Sequence, residues 1–293
     1  MAAEPETPAA GVVLLDKPAG LSSFAAISRL RPLYGRRLGH TGTLDPFATG
    51  LLVVLHGRAT RLADRLGGAD KRYRATARFG VTSTTDDPEG EIAETGGTTD
   101  ADAIRAALPA FVGSIEQVPP AASAVHVDGE RAYRRFRRGE AVTVPARRVA
   151  VHGIELMHFD AHTQTAELDV HCGSGTYVRS IARDLGEALG CGAHLTALRR
   201  TAVGAFRVED AATPEVILAG PPGGVAWLPP LAAVADLPRV ALAGADLDDV
   251  RHGRRAPCGA AVGPVALIAD ERLVAVGEAA DGFAAPRIVL EPA

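Results

Sequence analysis

The side chains that could do chemistry in this chain fall in four short stretches and on one helix face. Asp45 and His40 share the stretch Gly39-His40-Thr41-Gly42-Thr43-Leu44-Asp45-Pro46-Phe47-Ala48-Thr49-Gly50. Its three glycines, three threonines and one proline exclude a regular helix or a central strand. A lone carboxylate in a polar loop beside a rigid strand suits an active site. Taken alone, Asp45-Pro46 reads first as a turn. Tyr73 lies among Lys71, Arg72 and Arg74. Tyr177 and Arg179 close the run Gly173-Ser174-Gly175-Thr176-Tyr177-Val178-Arg179, which mimics a dinucleotide-binding glycine fingerprint. Val178 stands where the last glycine is required, so that site is excluded. Arg131, Arg134, Arg135 and Arg138, spaced i, i+3, i+4 and i+7, would form one basic helix face. Four arginines without paired acids point to phosphate groups. Cys172, Cys191 and Cys258 are scattered, with no CxxC, HExxH or zinc-like spacing. No metal site is expected.

Elements must hold these groups. Residues 11–15 read as a strand running into the turn-like Asp16-Lys17-Pro18-Ala19-Gly20. Ser22-Ser23 offers an N-cap to a helix carrying Phe24, Ile27 and Leu30, up to about Pro32. The apolar run 51–55 reads as a buried strand, and 59–66 as a helix capped by Gly67. Residues 71–79 are expected to be a strand starting on an exposed, basic edge. A helix follows from the Asp100 cap to about Leu108. The proline-broken connection 117–124 leads to a strand at 125–127, a tight turn at Asp128-Gly129 and a helix over 130–138. Residues 148–159 and 163–172 form a long antiparallel pair. Val178, Ile181, Leu185 and Leu189 mark an amphipathic helix with Tyr177 and Arg179 at its positive end, which favours a nearby anion. Residues 191–200 lead into a last core strand at 202–208. After 221–224 the composition shifts to short Val/Leu/Ala runs, and 265–269 and 273–277 flank a hairpin turn.

The chain has 293 residues, 47% hydrophobic and 23% charged, with a net charge of −4. That is enough for one large domain and a small one. The expected division is a flexible tail at 1–10, a large domain at 11–228 and a small β domain at 229–293. Charge is segregated: seven arginines and one acid lie between Arg131 and Arg148, and seven acids without Lys or Arg lie between Thr82 and Ile104. Such a surface can bind nucleic acid on one face despite an acidic total. The acidic stretch itself reads as a solvated loop. An odd number of thiols suits a reducing cytoplasm. The N-terminal stretch lacks the pattern of a signal peptide, and no apolar run reaches the length of a membrane span.

Four segments, in order, carry a resemblance: Asp16-Lys17-Pro18-Ala19-Gly20, 39–46, Lys71-Arg72-Tyr73, and Gly175-Thr176-Tyr177-Val178-Arg179. Together they resemble the tRNA pseudouridine-55 synthases of the TruB family. The resemblance continues through Ser123-Ala124, Arg131-Ala132-Tyr133, Asp184-Leu185-Gly186, 191–195 and Leu198-Arg199-Arg200, and covers roughly residues 11–208. It implies an α/β (α+β) fold: a mixed, mostly antiparallel sheet flanked by helices, followed by a small C-terminal β module of the PUA-like, RNA-binding kind. It implies an isomerase that turns one T-loop uridine of tRNA into pseudouridine, with tRNA as its partner, no cofactor and no obligatory protein partner, working as a monomer. By the same resemblance Asp45 is the nucleophile. Tyr73 would stack on the target base and assist proton removal. Arg179 would pair with Asp45, Tyr177 and Leu198 would line the uracil pocket, His40 would stack where the base had been, and Lys17 would support the pocket. Arg72, Arg131, Arg134, Arg135 and Arg138 would contact phosphates. The sequence departs from the family at His126, usually Lys, and at Ala121-Ala122, usually bulkier.

The chemistry fits the residues. The bond from ribose C1′ to N1 of the base breaks and is remade to C5, with nothing oxidised or phosphorylated. A carboxylate suits an oxocarbenium-like centre, as in glycoside chemistry, and one acid suffices because the base stays. The alternatives are a non-catalytic RNA-binding protein, which leaves the Asp45, Tyr73, Tyr177 and Arg179 set unexplained, and a nucleoside hydrolase, which requires a second acid, for which Asp16 is the candidate. A guide-RNA-directed relative would keep the chemistry and change the substrate; a compact chain without long basic tails speaks against it.

Overall fold

The structure is a computed structural model and describes residues 8–292 except 124, 128 and 222. Most of the expected tail, Ala124 of the Ser-Ala pair, Asp128 of the tight turn and Pro222 lie outside the described residues.

Strand β1 (Ala10–Lys17) leads to helix α1 (Ser23–Ser28), whose N-cap Ser22 accepts from the Ala25 N–H, and to a short α2 (Arg31–Tyr34). Phe24, expected on the apolar face, is 64% exposed. Strands β2 (Leu38–His40) and β3 (Thr49–Gly57) bracket the acid-bearing loop. A 3-10 turn over Arg58–Leu62 replaces the first half of the expected helix and runs into α3 (Ala63–Gly67). Strand β4 (Lys71–Phe79) is followed by the hairpin β5 (Val81–Ser83) and β6 (Ile92–Glu94), by α4 (Ala101–Ala107) capped by Asp100, and by β7 (Gly113–Gln117). Where one helix was expected over 130–138, Glu130–Arg131 is a strand, β9, paired with β8 (His126–Val127), and only α5 (Ala132–Arg137) is helical. Then come β10 (Arg147–Asp160), β11 (Thr165–Cys172), α6 (Val178–Ala188), β12 (Ala193–Val203), β13 (Phe206–Arg207), α7 (Pro214–Ala219) and β14 (Trp227–Leu228). The C-terminal part holds β15 (Arg239–Ala241), α8 (Gly244–Arg251), β16 (Ala256–Pro257), β17 (Gly263–Ala269), β18 (Arg272–Ala280) and β19 (Phe283–Val289).

The main sheet runs β14-β1-β3-β12-β4-β11-β10-β7, with β13 beside β12 and β2 beside β3. Its pairs are antiparallel except β3 with β12. This is the mixed, mostly antiparallel sheet expected. Two expectations fail. Strand β4 is central rather than an edge, and Lys71 is buried at 7% exposure. Strand β12 begins at Ala193, so Leu198, Arg199 and Arg200 lie inside the sheet. Residues 191–200 were expected only to lead into a strand, yet Arg200 is 1% exposed, because its guanidinium finds the Leu51 and Gly42 carbonyls, as a buried cation must.

Strands β1 and β3 serve two cores at once. Val13, Leu15, Leu52 and Val54 join the core under α1, α4 and α6. Val12, Leu14, Leu51, Val53 and Leu55 join Ala266, Ile268, Leu273, Val276 and Leu290 of the C-terminal sheet in a second core. Strands covered on both faces read as continuous apolar runs, which is why 51–55 shows no alternation.

Candidate active site

The loop between β2 and β3 is tied down from four sides. Ser23 Oγ donates to the Leu44 carbonyl (3.0 Å) and accepts from the Leu44 N–H (2.8 Å). The Lys17 ammonium, fully buried, donates to the carbonyls of Pro18, Leu21 and Pro46 at 2.9, 2.7 and 3.2 Å. Burial pulls it down to about 8. Arg200 donates to the Gly42 and Leu51 carbonyls. The Ala48 N–H donates to the Asp45 carbonyl at 3.1 Å, which closes the turn expected at Asp45-Pro46. At Gly50, φ is +100° and a Cβ would stand 2.3 Å from the Arg200 carbonyl, so only glycine fits.

These ties present Asp45 to Arg179 in the first turn of α6. Arg179 Nη2 donates to Asp45 Oδ1 (3.0 Å) and to the Ala122 carbonyl (3.1 Å). Its Nη1 donates to Asp87 Oδ2 (2.7 Å) and to the Thr85 carbonyl (2.9 Å). Asp87 also accepts from Thr85 Oγ1 and from the Glu89 N–H. The acidic stretch is therefore not a solvated loop at this point: Asp86 and Asp87 are buried, and Asp86 has φ +61° and pairs with Arg183 at 2.9 Å. Sequence reasoning missed Asp87. The available signal was a helix-borne arginine flanked by apolar positions, which needs acceptors beyond one acid.

A neighbouring guanidinium by itself would hold the Asp45 carboxyl low. The net direction is upward: burial raises its carboxyl, Arg179 and Lys17 oppose this, and the nearby Asp87 charge adds to the rise. Because 29% of the Asp45 side chain opens to a cavity, water reaches it and tempers the effect.

That cavity, of about 320 Å³, is lined by Asp45, Lys71, Tyr73, Arg147, Tyr177, Arg179, Leu198 and Arg200 among others. Asp45 is the one carboxylate among its lining residues. Tyr73, on β4, is buried. Its phenol is pushed up by burial and pulled down by Arg200. Tyr177 is the N-cap of α6; its N–H and carbonyl both bond the Gln117 side chain, at 2.8 and 3.0 Å, and Arg147 covers its ring at 4.9 Å. Arg200, Gln117 and Arg147 are further residues that sequence reasoning did not single out. Asp16, the candidate second acid, instead pairs with Arg199 at 2.8 Å and does not line the cavity.

His40 does not line that cavity. It lies in a neighbouring cleft of about 540 Å³ with Phe24, Arg131, Tyr133, Phe136 and Arg137. The two spaces share Thr43, Leu44, Asp45 and Arg179 as common wall. Burial and Arg200 both hold the His40 imidazole below its ordinary value. The expected row of unpaired arginines is corrected: Arg138 forms a two-pronged pair with Glu130, and Arg135 and Arg138 both bond Glu140. Arg72 is held by Asp169 at 2.6 Å and Arg74 by the same acid at 3.2 Å. His126 is exposed.

The chain has close counterparts among known proteins. The model of the TruB family pseudouridylate synthase N-terminal domain matches residues 31–178, and that of the tRNA pseudouridylate synthase B C-terminal domain matches residues 179–219. The tRNA pseudouridine synthase B of Parasynechococcus marenigrum (strain WH8102) is 43% identical over 288 residues, covering 96% of this chain and 97% of the relative. That of Thermobifida fusca (strain YX) is 46% identical over 290 residues, covering 95% and 98%. Among solved structures, an H/ACA RNP bound to a substrate RNA containing 2′-deoxyuridine matches with a TM-score of 0.74 and 25% identity, over 96% of this chain and 85% of that one. A Cbf5-Nop10-Gar1 complex matches at 0.73 and 27%, over 96% and 85%. The fold is thus that of a pseudouridine synthase, an isomerase. The chain belongs to the TruB family. Both family matches end before β14, so the C-terminal sheet lies outside them.

Proposed function

We propose that this enzyme isomerises the uridine at position 55, in the T-loop of tRNA, with Asp45 as its nucleophile. The C1′–N1 bond breaks, C1′–C5 forms, N1 gains a hydrogen and C5 loses one. The observation that supports this most is a single carboxylate, held by Arg179 at 3.0 Å, in a cavity whose other lining residues include Tyr73, Tyr177, Leu198 and four cations but no second acid. A second, water-activating acid would divert the reaction to hydrolysis.

The target base lies inside a folded loop and must be flipped out, at a cost of a few kcal/mol. Stacking on Tyr73 offsets this by about 1–3 kcal/mol. Tyr73 also assists removal of the C5 proton, Arg179 orients Asp45, Tyr177 and Leu198 enclose the uracil, and Lys17 holds the loop. His40, across the shared wall, occupies the space the base leaves. Arg131 and its cleft neighbour Arg137, together with Arg134 and the half-exposed Arg72, contact phosphates; recognition is largely of the loop's shape. Residues 229–293 act as a PUA-like RNA-binding module, and the enzyme works in the cytoplasm as a monomer without a cofactor.

The test is tritium release from C5-labelled uridine in T-loop RNA. Asp45→Asn is expected to release none while still binding RNA. Undiminished release by this variant would sink the assignment. A wild-type protein that binds tRNA and releases nothing would favour the non-catalytic RNA-binding reading.

A further inference from the structure

The outward face of the main sheet carries three side chains that the chemistry above leaves unused. Asp70, just before β4, His152 on β10 and His171 on β11 bring a carboxylate oxygen and two imidazole nitrogens within 4.8 Å of one another. His152 Nε2 stands 3.1 Å from an Asp70 carboxylate oxygen, and the two imidazole rings are 4.7 Å apart between centroids.

A break in strand register produces this grouping. Val151 pairs with Cys172 and Gly153 with His171, so His152 is the extra residue of a bulge. Bulges re-aim side chains. Val151 and Ile154 point into the core, whereas His152 between them is exposed beside His171. Gly153, opposite His171, leaves open space where a Cβ would stand. The neighbouring cations are engaged elsewhere: Arg72 and Arg74 by Asp169, and the Lys71 ammonium by the Gly67 and Ala69 carbonyls, both at 2.6 Å.

We propose that Asp70, His152 and His171 form a binding site for a divalent ion of the zinc class. Two imidazoles and one carboxylate suit Zn²⁺, Co²⁺, Ni²⁺ or Cu²⁺; Mg²⁺ and Ca²⁺ want oxygen ligands. In a tetrahedral site with bonds of about 2.0–2.1 Å, ligand atoms stand about 3.3 Å apart. The Asp70–His152 edge already has that length, at 3.1 Å. The widest gap must close by roughly 1.5 Å, which rotation of the exposed His171 ring can supply. The fourth position faces solvent and takes water. A bound ion would clip the turn before β4, which carries Lys71 and Tyr73 of the catalytic cavity, to the end of β11, two residues before Gly173 on the cavity rim.

The experiment is titration of the full chain with Co²⁺, read by its visible absorption, and with Zn²⁺, read by competition with a chromophoric chelator. The wild type is expected to take up one ion with an affinity on the order of micromolar. Asp70→Asn, His152→Gln and His171→Gln should each weaken binding about tenfold or more, and the double histidine variant should lose it. Zn²⁺ should raise the melting temperature of the wild type and not of the double variant, whose metal-free melt should match the wild type's. Uptake undiminished in the double variant, a cobalt spectrum showing thiolate ligation, or no uptake by the wild type at millimolar metal would overturn the proposal.

Discussion

Arg179 divides its guanidinium between two carboxylates that differ in what else they meet. Asp87 is closed off, at 3% side-chain exposure, and accepts from Thr85, Glu89 and Arg179. Asp45 keeps 29% of its side chain open and, among the described residues, receives a side-chain hydrogen bond from Arg179 alone. One acid is spent on holding the cation; the other is left able to react. Because Asp87 pushes the Asp45 carboxyl up, Asp87→Asn should shift the acid limb of the pH–rate profile downward, and the loosened Arg179 should lower the rate. The check is tritium release between about pH 4 and 8; a limb that does not move argues against this coupling. The sign for stability is the reverse of the usual carboxylate case. A group whose pKa rises on folding stabilises below its unfolded value and loses that contribution as pH rises through the folded one. Asp45→Asn should therefore melt no lower than the wild type at neutral pH. Tyr73→Phe keeps the ring and loses the hydroxyl. It should bind RNA unchanged and slow the reaction by about 10²–10⁴-fold; a near-wild-type rate would leave Tyr73 a stacking residue only. Asp45, Tyr73, Tyr177 and Arg179 were legible in the sequence as an ordered set of motifs. Asp87 was not, because seven acids in one stretch have the composition of a solvated loop and nothing local marks Asp86 and Asp87 as the two that turn inward.

At the level of elements, the sequence showed most strands and few of their neighbours. The run 51–55 was readable as an unbroken apolar stretch, and the pair 148–159 with 163–172 and the helix after Tyr177 from their patterns. That β4 is central was not, because its alternating cations describe only one face, and its partners β11 and β12 come from far along the chain. A contact of similarly long range joins β3 to β14: Trp227 Nε1 donates to His56 Nε2 at 2.9 Å. Burial pulls His56 down to about 4, so the imidazole stays neutral and accepts. A depressed histidine stabilises above its unfolded pKa of about 6.5 and loses that contribution as pH falls through about 4. The loss amounts to roughly 3 kcal/mol. His56→Gln, which keeps an acceptor without titrating, should flatten the fall in urea midpoint over that window. An identical fall in both proteins would locate the acid sensitivity elsewhere.

For the whole molecule, the second core is the main lesson. The composition shifts after 221–224, but composition does not reveal that β1 and β3 lend one face each to the C-terminal sheet. A chain ending at residue 228 would expose Val12, Leu14, Leu51, Val53 and Leu55 together. It should bind an apolar dye and melt well below the full chain; a melt within a few degrees would show that the first part is self-sufficient. The two spaces that share Asp45 as a wall carry a different consequence. A blind pocket accepts a free nucleoside or the end of a strand. A carboxylate with an opening on either side suits a residue in the middle of a polymer, whose chain must both arrive and leave, so the layout of this site already selects for an internal nucleotide before any base is read.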